Sequence, residues 1–172
     1  ASHAHYYSGH TAEAERLLLE AIDVNLATQH YSAYVNASHH LARLRILQGR
    51  LRDAADLYFR ARASVAGSGL LAGAEYFGLG DLKREWGDLD EPGADIDTGL
   101  RLAEAGDHIF FLTDGYLAAV RLALARHDPH SAHLYLDKAD QAAHRCPASA
   151  EVDLIRTWRA RVWLASGDLT RA

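Results

Sequence analysis

Eleven histidines, one cysteine and a spread of arginines and carboxylates are the side chains that could do chemistry in this 172-residue chain. His127, His130 and His133 are spaced by three, a pattern open to metal ligation. His130 and His133 can share a helix face, but no cysteine or carboxylate completes a tetrahedral set at zinc-finger spacing. His39 and His40 are adjacent and so point to different sides of a helix. His3 and His5 lie at a frayed end, and most histidines read as solvated surface. Cys146 precedes Pro147 at a helix end. A catalytic thiol needs a base and an orienting group, and His144 falls on a different helical face. Asp88 and Asp168 stand beside turn glycines and read as helix caps. Trp86, Trp158 and Trp163 read as packing residues at junctions, and Tyr6, Tyr7, Tyr31 and Tyr34 as packing or end surface. What remains is a recurring arginine: Arg43, Arg121 and Arg161 occupy one slot of a repeating pattern, and Asp81 fills the same slot once. An arginine fork grips carboxylate or phosphate with two hydrogen bonds and stacks on planar rings.

That slot is defined by a turn that returns along the chain. Gly9-His10-Thr11, Gly49-Arg50-Leu51, Gly87-Asp88-Leu89, His127-Asp128-Pro129 and Gly167-Asp168-Leu169 are separated by 40, 38, 40 and 40 residues. Five residues after each turn stand Ala14, Ala54, Pro92, Ala132 and Ala172. Nine after stand Leu18, Tyr58, Ile96 and Leu136, and twelve after stand Ala21, Ala61, Gly99 and Ala139. Small, large, small at helical spacing is a packing stripe: the small residues admit a neighbouring helix and the large one fills the gap. A second stripe precedes each turn, with Leu44, Leu82, Leu122 and Val162 five residues before it. Ala42, Gly80, Val120 and Ala160 lie seven before, and Leu41, Leu79, Ala119 and Arg159 eight before.

Each unit is therefore helix A, a tight turn and helix B. The pattern predicts helices A over 31–48, 70–86, 110–126 and 149–166, and helices B over 11–28, 50–66, 90–105 and 129–145. Asp128-Pro129 reads as an N-cap followed by proline in the first helical position. Asp90-Glu91-Pro92 places acid where the helix dipole favours it. Gly67-Ser68-Gly69 and Gly106-Asp107 read as loops between units, and Cys146-Pro147 stops a helix. One such unit cannot bury its apolar face, whereas stacked units can. The expected fold is all-α: an antiparallel helix-pair solenoid of about four to five pairs in a right-handed superhelix, with residues 1–172 as one repeat domain.

Composition narrows the function. A net charge of −5 argues against direct grip on nucleic acid, which takes clustered Lys and Arg. A single cysteine fits a reducing compartment, no apolar run approaches the ~18 residues of a membrane helix, and no secretory pattern opens the chain. A cytoplasmic location is expected.

The small-large-small stripe and Leu79-Gly80 before the third turn resemble tetratricopeptide repeats, with a period longer than the usual ~34 residues. Three stretches sharpen the likeness: Gly78-Leu79-Gly80-Asp81-Leu82-Lys83-Arg84-Glu85-Trp86-Gly87-Asp88-Leu89, Asp114-Gly115-Tyr116-Leu117-Ala118-Ala119-Val120-Arg121, and Arg159 through Leu169. Together they resemble the helical-repeat region of MalT-like regulators, ATP-dependent members of the LuxR family. That resemblance implies a sensor segment receiving an inducer or partner protein, between an NTPase module and a helix-turn-helix module. The chain has no G-x-x-x-x-G-K-[ST] phosphate loop and no recognisable DNA-binding helix pair, so neither ATP hydrolysis nor DNA binding is assigned to it. The resemblance also suggests a piece of a longer polypeptide.

In a tetratricopeptide solenoid helix A lines the concave groove. The resemblance then implies groove positions at Asn36, His39 and Arg43, at Phe77, Asp81, Arg84 and Glu85, at Asp114, Leu117 and Arg121, and at Thr157 and Arg161. These side chains could hold a small polar molecule such as a sugar or acid, or a partner peptide. They could equally pair with one another across neighbouring helices and hold the units in register. No catalytic residue, metal or cofactor is expected. A freestanding adaptor that binds a peptide is the alternative function.

Overall fold

The structure is a computed structural model that describes residues 11–66, 73–145 and 151–168. Eight helices run through these residues: α1 Thr11–Ala27, α2 Tyr31–Leu47, α3 Leu51–Val65, α4 Ala74–Glu85, α5 Pro92–Ala105, α6 Ile109–Ala125, α7 Pro129–His144 and α8 Glu151–Ala165. The described residues contain no strand. The all-α helix-pair architecture is the expected one, and most helix ends fall within two residues of their predicted positions. The main difference is α4. It starts at Ala74 because Gly73 is left-handed, with φ 80°, which no right-handed helix contains. Gly67-Ser68-Gly69, Cys146-Pro147 and Tyr6-Tyr7 lie outside the described residues.

The turns share one chemistry. Gln29, Gly49, Gly87, Asp107, His127 and Gly167 all take a positive φ. The residue after each donates its N–H back over a full turn: His30 to Asn25 O at 2.9 Å, Arg50 to Arg45 O at 2.8 Å, His108 to Ala103 O at 2.9 Å and Asp128 to Ala123 O at 2.9 Å. This is the Schellman ending, which satisfies helix carbonyls that have no partner within the helix. At the other ends, Asp128 accepts from Ser131 N at 3.0 Å with Pro129 first in α7, as predicted. At α5 the acid that accepts is Asp88, from the N–H groups of Asp90 and Glu91. Glu91 makes no capping bond, and its carboxylate lies 3.1 Å from Lys83.

The predicted stripes form the core. Ala14, Ala54 and Ala132 are fully buried, as are Leu18, Tyr58, Ile96 and Leu136 between them. Leu41, Leu44, Leu79, Leu82, Val120 and Val162 close from the other side. Gly80 and Gly99 sit where α4 and α5 touch, and a methyl group on Gly99 would lie 2.6 Å from the Gly73 carbonyl oxygen. Trp86 departs from its expected packing role and is 52% exposed beside its turn.

The helices form two rows. α2 packs on α4, α4 on α6 and α6 on α8, while α3, α5 and α7 each wedge between two members of that row. The row in direct contact lies on the inner radius of the stack. Helix α6 is its most enclosed member, with residues 111–120 buried without interruption. No helix of the described residues is long and apolar enough to cross a membrane.

Candidate functional site

Three inner helices each turn a short polar stripe toward the same space. On α2, His39 and Arg43 are four residues apart and share a face. On α4 the same step carries Phe77, Asp81 and Glu85, and on α6 steps of four and three carry Asp114, Ala118 and Arg121. These stripes enclose a cavity of about 170 Å³, lined also by Tyr58, Gly78, Ile46 and Leu47. Seven of the predicted groove residues meet here: His39, Arg43, Phe77, Asp81, Glu85, Asp114 and Arg121.

The charges around the cavity come in pairs. Asp114 is only 6% exposed, in the middle of α6. A buried carboxylate is tolerated only when paired and hydrogen-bonded, and Asp114 is both. Arg43 donates one N–H group to its two oxygens at 2.7 and 2.8 Å, and His39 Nε2 lies 3.0 Å from Oδ2. Burial by itself would raise the pKa of Asp114, but the Arg43 charge and the His39 hydrogen bond outweigh it and hold the carboxyl far below its usual range. An ionised carboxylate only accepts, so His39 donates to it from Nε2. Its Nδ1 lies within hydrogen-bond distance of the Tyr58 hydroxyl, at 3.3 Å. The second pair is Asp81 with Arg121, whose Nε donates at 3.0 Å to each oxygen. Arg84 adds a bond to Asp81 at 2.9 Å. Burial again opposes ionisation of Asp81, and the two arginines again prevail, lowering its pKa.

A phenol, an imidazole and a carboxylate in a row follow the order of a nucleophile, base and orienter. Here the terminal hydroxyl is buried and held in its protonated form. Tyr58 is 1% exposed, and burial, reinforced by Asp81 and Asp114, pushes its pKa well up. The row fixes the orientation of His39.

The other predicted residues lie elsewhere. Asn36 lines a separate depression between α1 and α2, with Leu18 and Tyr31. Arg84 stands behind the cavity, bonded to Asp81 and, at 2.6 Å, to Glu85. Leu117 is fully buried and faces the core rather than the groove. Thr157 and Arg161 are exposed on α8. Arg161 stacks on Trp158 at 4.6 Å, and Arg121 approaches the same ring at 5.7 Å, so Trp158 of α8 neighbours one of the cavity's arginines. His39, read among the surface histidines as well as in the groove, is 3% exposed. His127 is a turn residue, and His133 lies 3.0 Å from Ser166 Oγ.

Sequence reasoning missed Tyr58 and Gly78. Tyr58 carried a signal, since it puts a hydroxyl in a slot that holds Leu18, Ile96 and Leu136 in the other units. Gly78 gave none that spacing could isolate. A methyl group there would lie 2.3 Å from the Tyr58 ring, so glycine is what lets the ring lie across α4 and reach His39.

The family model described as the MalT-like TPR region matches residues 2–172. No curated protein matches the chain.

Proposed function

The chain belongs to the MalT-like TPR region family, and from that premise we propose that it is the effector- or partner-binding sensor segment of a LuxR-family transcriptional regulator, with its site in the cavity between α2, α4 and α6. The observation that carries this reading is the convergence of His39, Arg43, Asp81, Glu85, Asp114 and Arg121 on one concave, partly apolar space. Such sites combine an apolar lining with a few fixed polar groups. At about 170 Å³ the space is smaller than the ~300–1,000 Å³ of a drug-sized site. It suits a small polar molecule, or a single side chain of a partner peptide, better than a whole peptide. The segment acts by binding and performs no catalysis itself. DNA contact and nucleotide hydrolysis belong to separate modules of a cytoplasmic parent protein.

Two experiments test this. A thermal-shift screen with sugars, organic acids and phenolics at millimolar concentration should raise the melting temperature for one class, because a ligand of the native state must stabilise it. Arg43→Ala or Arg121→Ala should abolish that shift while the helical circular dichroism signal persists. A flat response across the panel counts against a small effector and turns attention to a freestanding adaptor. The parent reading frame is the second test: a phosphate-loop motif upstream and a helix-turn-helix pair downstream are expected.

A further inference from the structure

Among the described residues, several ion pairs join helices that pack directly on one another. Arg45 of α2 meets Glu15 of α1 at 2.7 Å, Arg121 of α6 meets Asp81 of α4, and Arg159 of α8 meets Asp140 of α7 at 3.0 Å. The Asp114 cluster breaks this pattern. His39 and Arg43 stand on α2, Asp114 stands on α6, and α4 packs between those two helices. The bonds span 75 and 71 positions of sequence, nearly two periods of the repeat. A solenoid held by nearest-neighbour contacts bends at each interface separately. A bond that skips a helix fixes two interfaces together.

We propose that the His39–Asp114–Arg43 cluster is a cross-brace that ties the first inner helix to the third and sets the curvature of the stack. Its strength follows from its surroundings. His39 and Asp114 are buried, at 3% and 6% exposure, where charge-assisted hydrogen bonds gain from the low local dielectric. Gly78 keeps the intervening helix bare of a side chain where Tyr58 crosses to His39. Arg43 differs in being 23% exposed and lining the cavity. It is the most accessible member of the brace, since His39 and Asp114 line the cavity but expose far less of their side chains. The brace exists whether or not the cavity is a ligand site, so it stands independently of the functional reading. If the cavity is one, an occupant that draws Arg43 away from Asp114 changes curvature directly.

The test is a distance measurement across the brace. Arg52 and His130 are exposed and lie just past the turns that follow α2 and α6. Spin labels at Arg52→Cys and His130→Cys, with the single native cysteine changed to serine, report the separation of those turns by pulsed electron resonance. The braced protein should give one narrow distribution. Asp114→Asn should broaden and lengthen it by several ångströms, and Arg43→Gln should do so more weakly. Asp81→Asn, which weakens a bond between directly packed helices, should leave it in place. Should Asp114→Asn fail to fold, Arg43→Gln, altered at a partly exposed side chain, decides the matter. An unchanged distribution in the folded variants overturns the proposal, and so does an equal change in Asp81→Asn, which would mean general loosening. A thermal-shift screen reports on occupancy instead, so failure of the brace and failure of the functional reading are separable.

Discussion

Asp114 sits inside the most enclosed helix, and its charge must be answered there. Removing the carboxylate leaves Arg43 and His39 facing a low-dielectric space without their acceptor. Breaking a buried pair in this way costs about 3–5 kcal/mol, so Asp114→Ala should lose roughly that much in a denaturant melt, and Asp114→Asn distinctly less. Gly78 tests the same site by volume. A methyl group placed 2.3 Å from the Tyr58 ring forces that ring aside, and overpacking of this kind costs about 1–3 kcal/mol. Gly78→Ala should show that loss together with a changed imidazole resonance for His39, because the Tyr58 hydroxyl is carried away from Nδ1. The spacing of the arginines was enough to find Arg43 and Arg121. The reading in which these charges pair across helices holds for Asp81 and Asp114, but which arginine takes which carboxylate was not readable: Asp81 looked like an interruption of the arginine series and is the group that Arg121 grips.

At the scale of the element, the period located turns even without glycine, as at His127-Asp128-Pro129, but the left-handed residue itself was legible only where glycine marks it. Gly49, Gly87 and Gly167 announce a left-handed residue, whereas Gln29, Asp107 and His127 adopt the same conformation without announcing it. At Gly106-Asp107 the left-handed residue is the aspartate, and Gly106 keeps φ −85°. This yields a paired prediction for thermal melts. Gly49→Ala meets open space but keeps φ +72°, so it should cost about 1–2 kcal/mol of backbone strain. His127→Gly relieves the same strain and should raise the melting temperature. Opposite signs at equivalent turns would separate backbone strain from packing, because neither substitution fills or empties core volume.

For the whole molecule, the buried carboxylates set the response to acid. Asp81 and Asp114 ionise more readily folded than unfolded. Their stabilisation is complete above the unfolded carboxylate pKa of about 3.9 and is lost as the pH falls below it. The melting temperature should hold from about pH 7 to 5 and drop steeply under about pH 4. Asp114→Asn should start lower at neutral pH and fall less steeply. Glu75 works against this trend: burial raises its pKa, and its Oε2 finds no hydrogen-bond partner among the described residues. Glu75→Gln should therefore raise the melting temperature at pH 7. Residue bulk at fixed spacing determined the helices, their pairing and their repeat, because each unit's apolar stripe can be buried only against the next and the pattern repeats locally. The resemblance to tetratricopeptide repeats, rather than bulk and spacing alone, pointed to seven of the residues that line the cavity. Which charges answer one another was decided only in three dimensions. His39 and Arg43 meet Asp114 across an intervening helix, at a separation that no local period encodes, and a bare glycine on α4 is what lets Tyr58 join them.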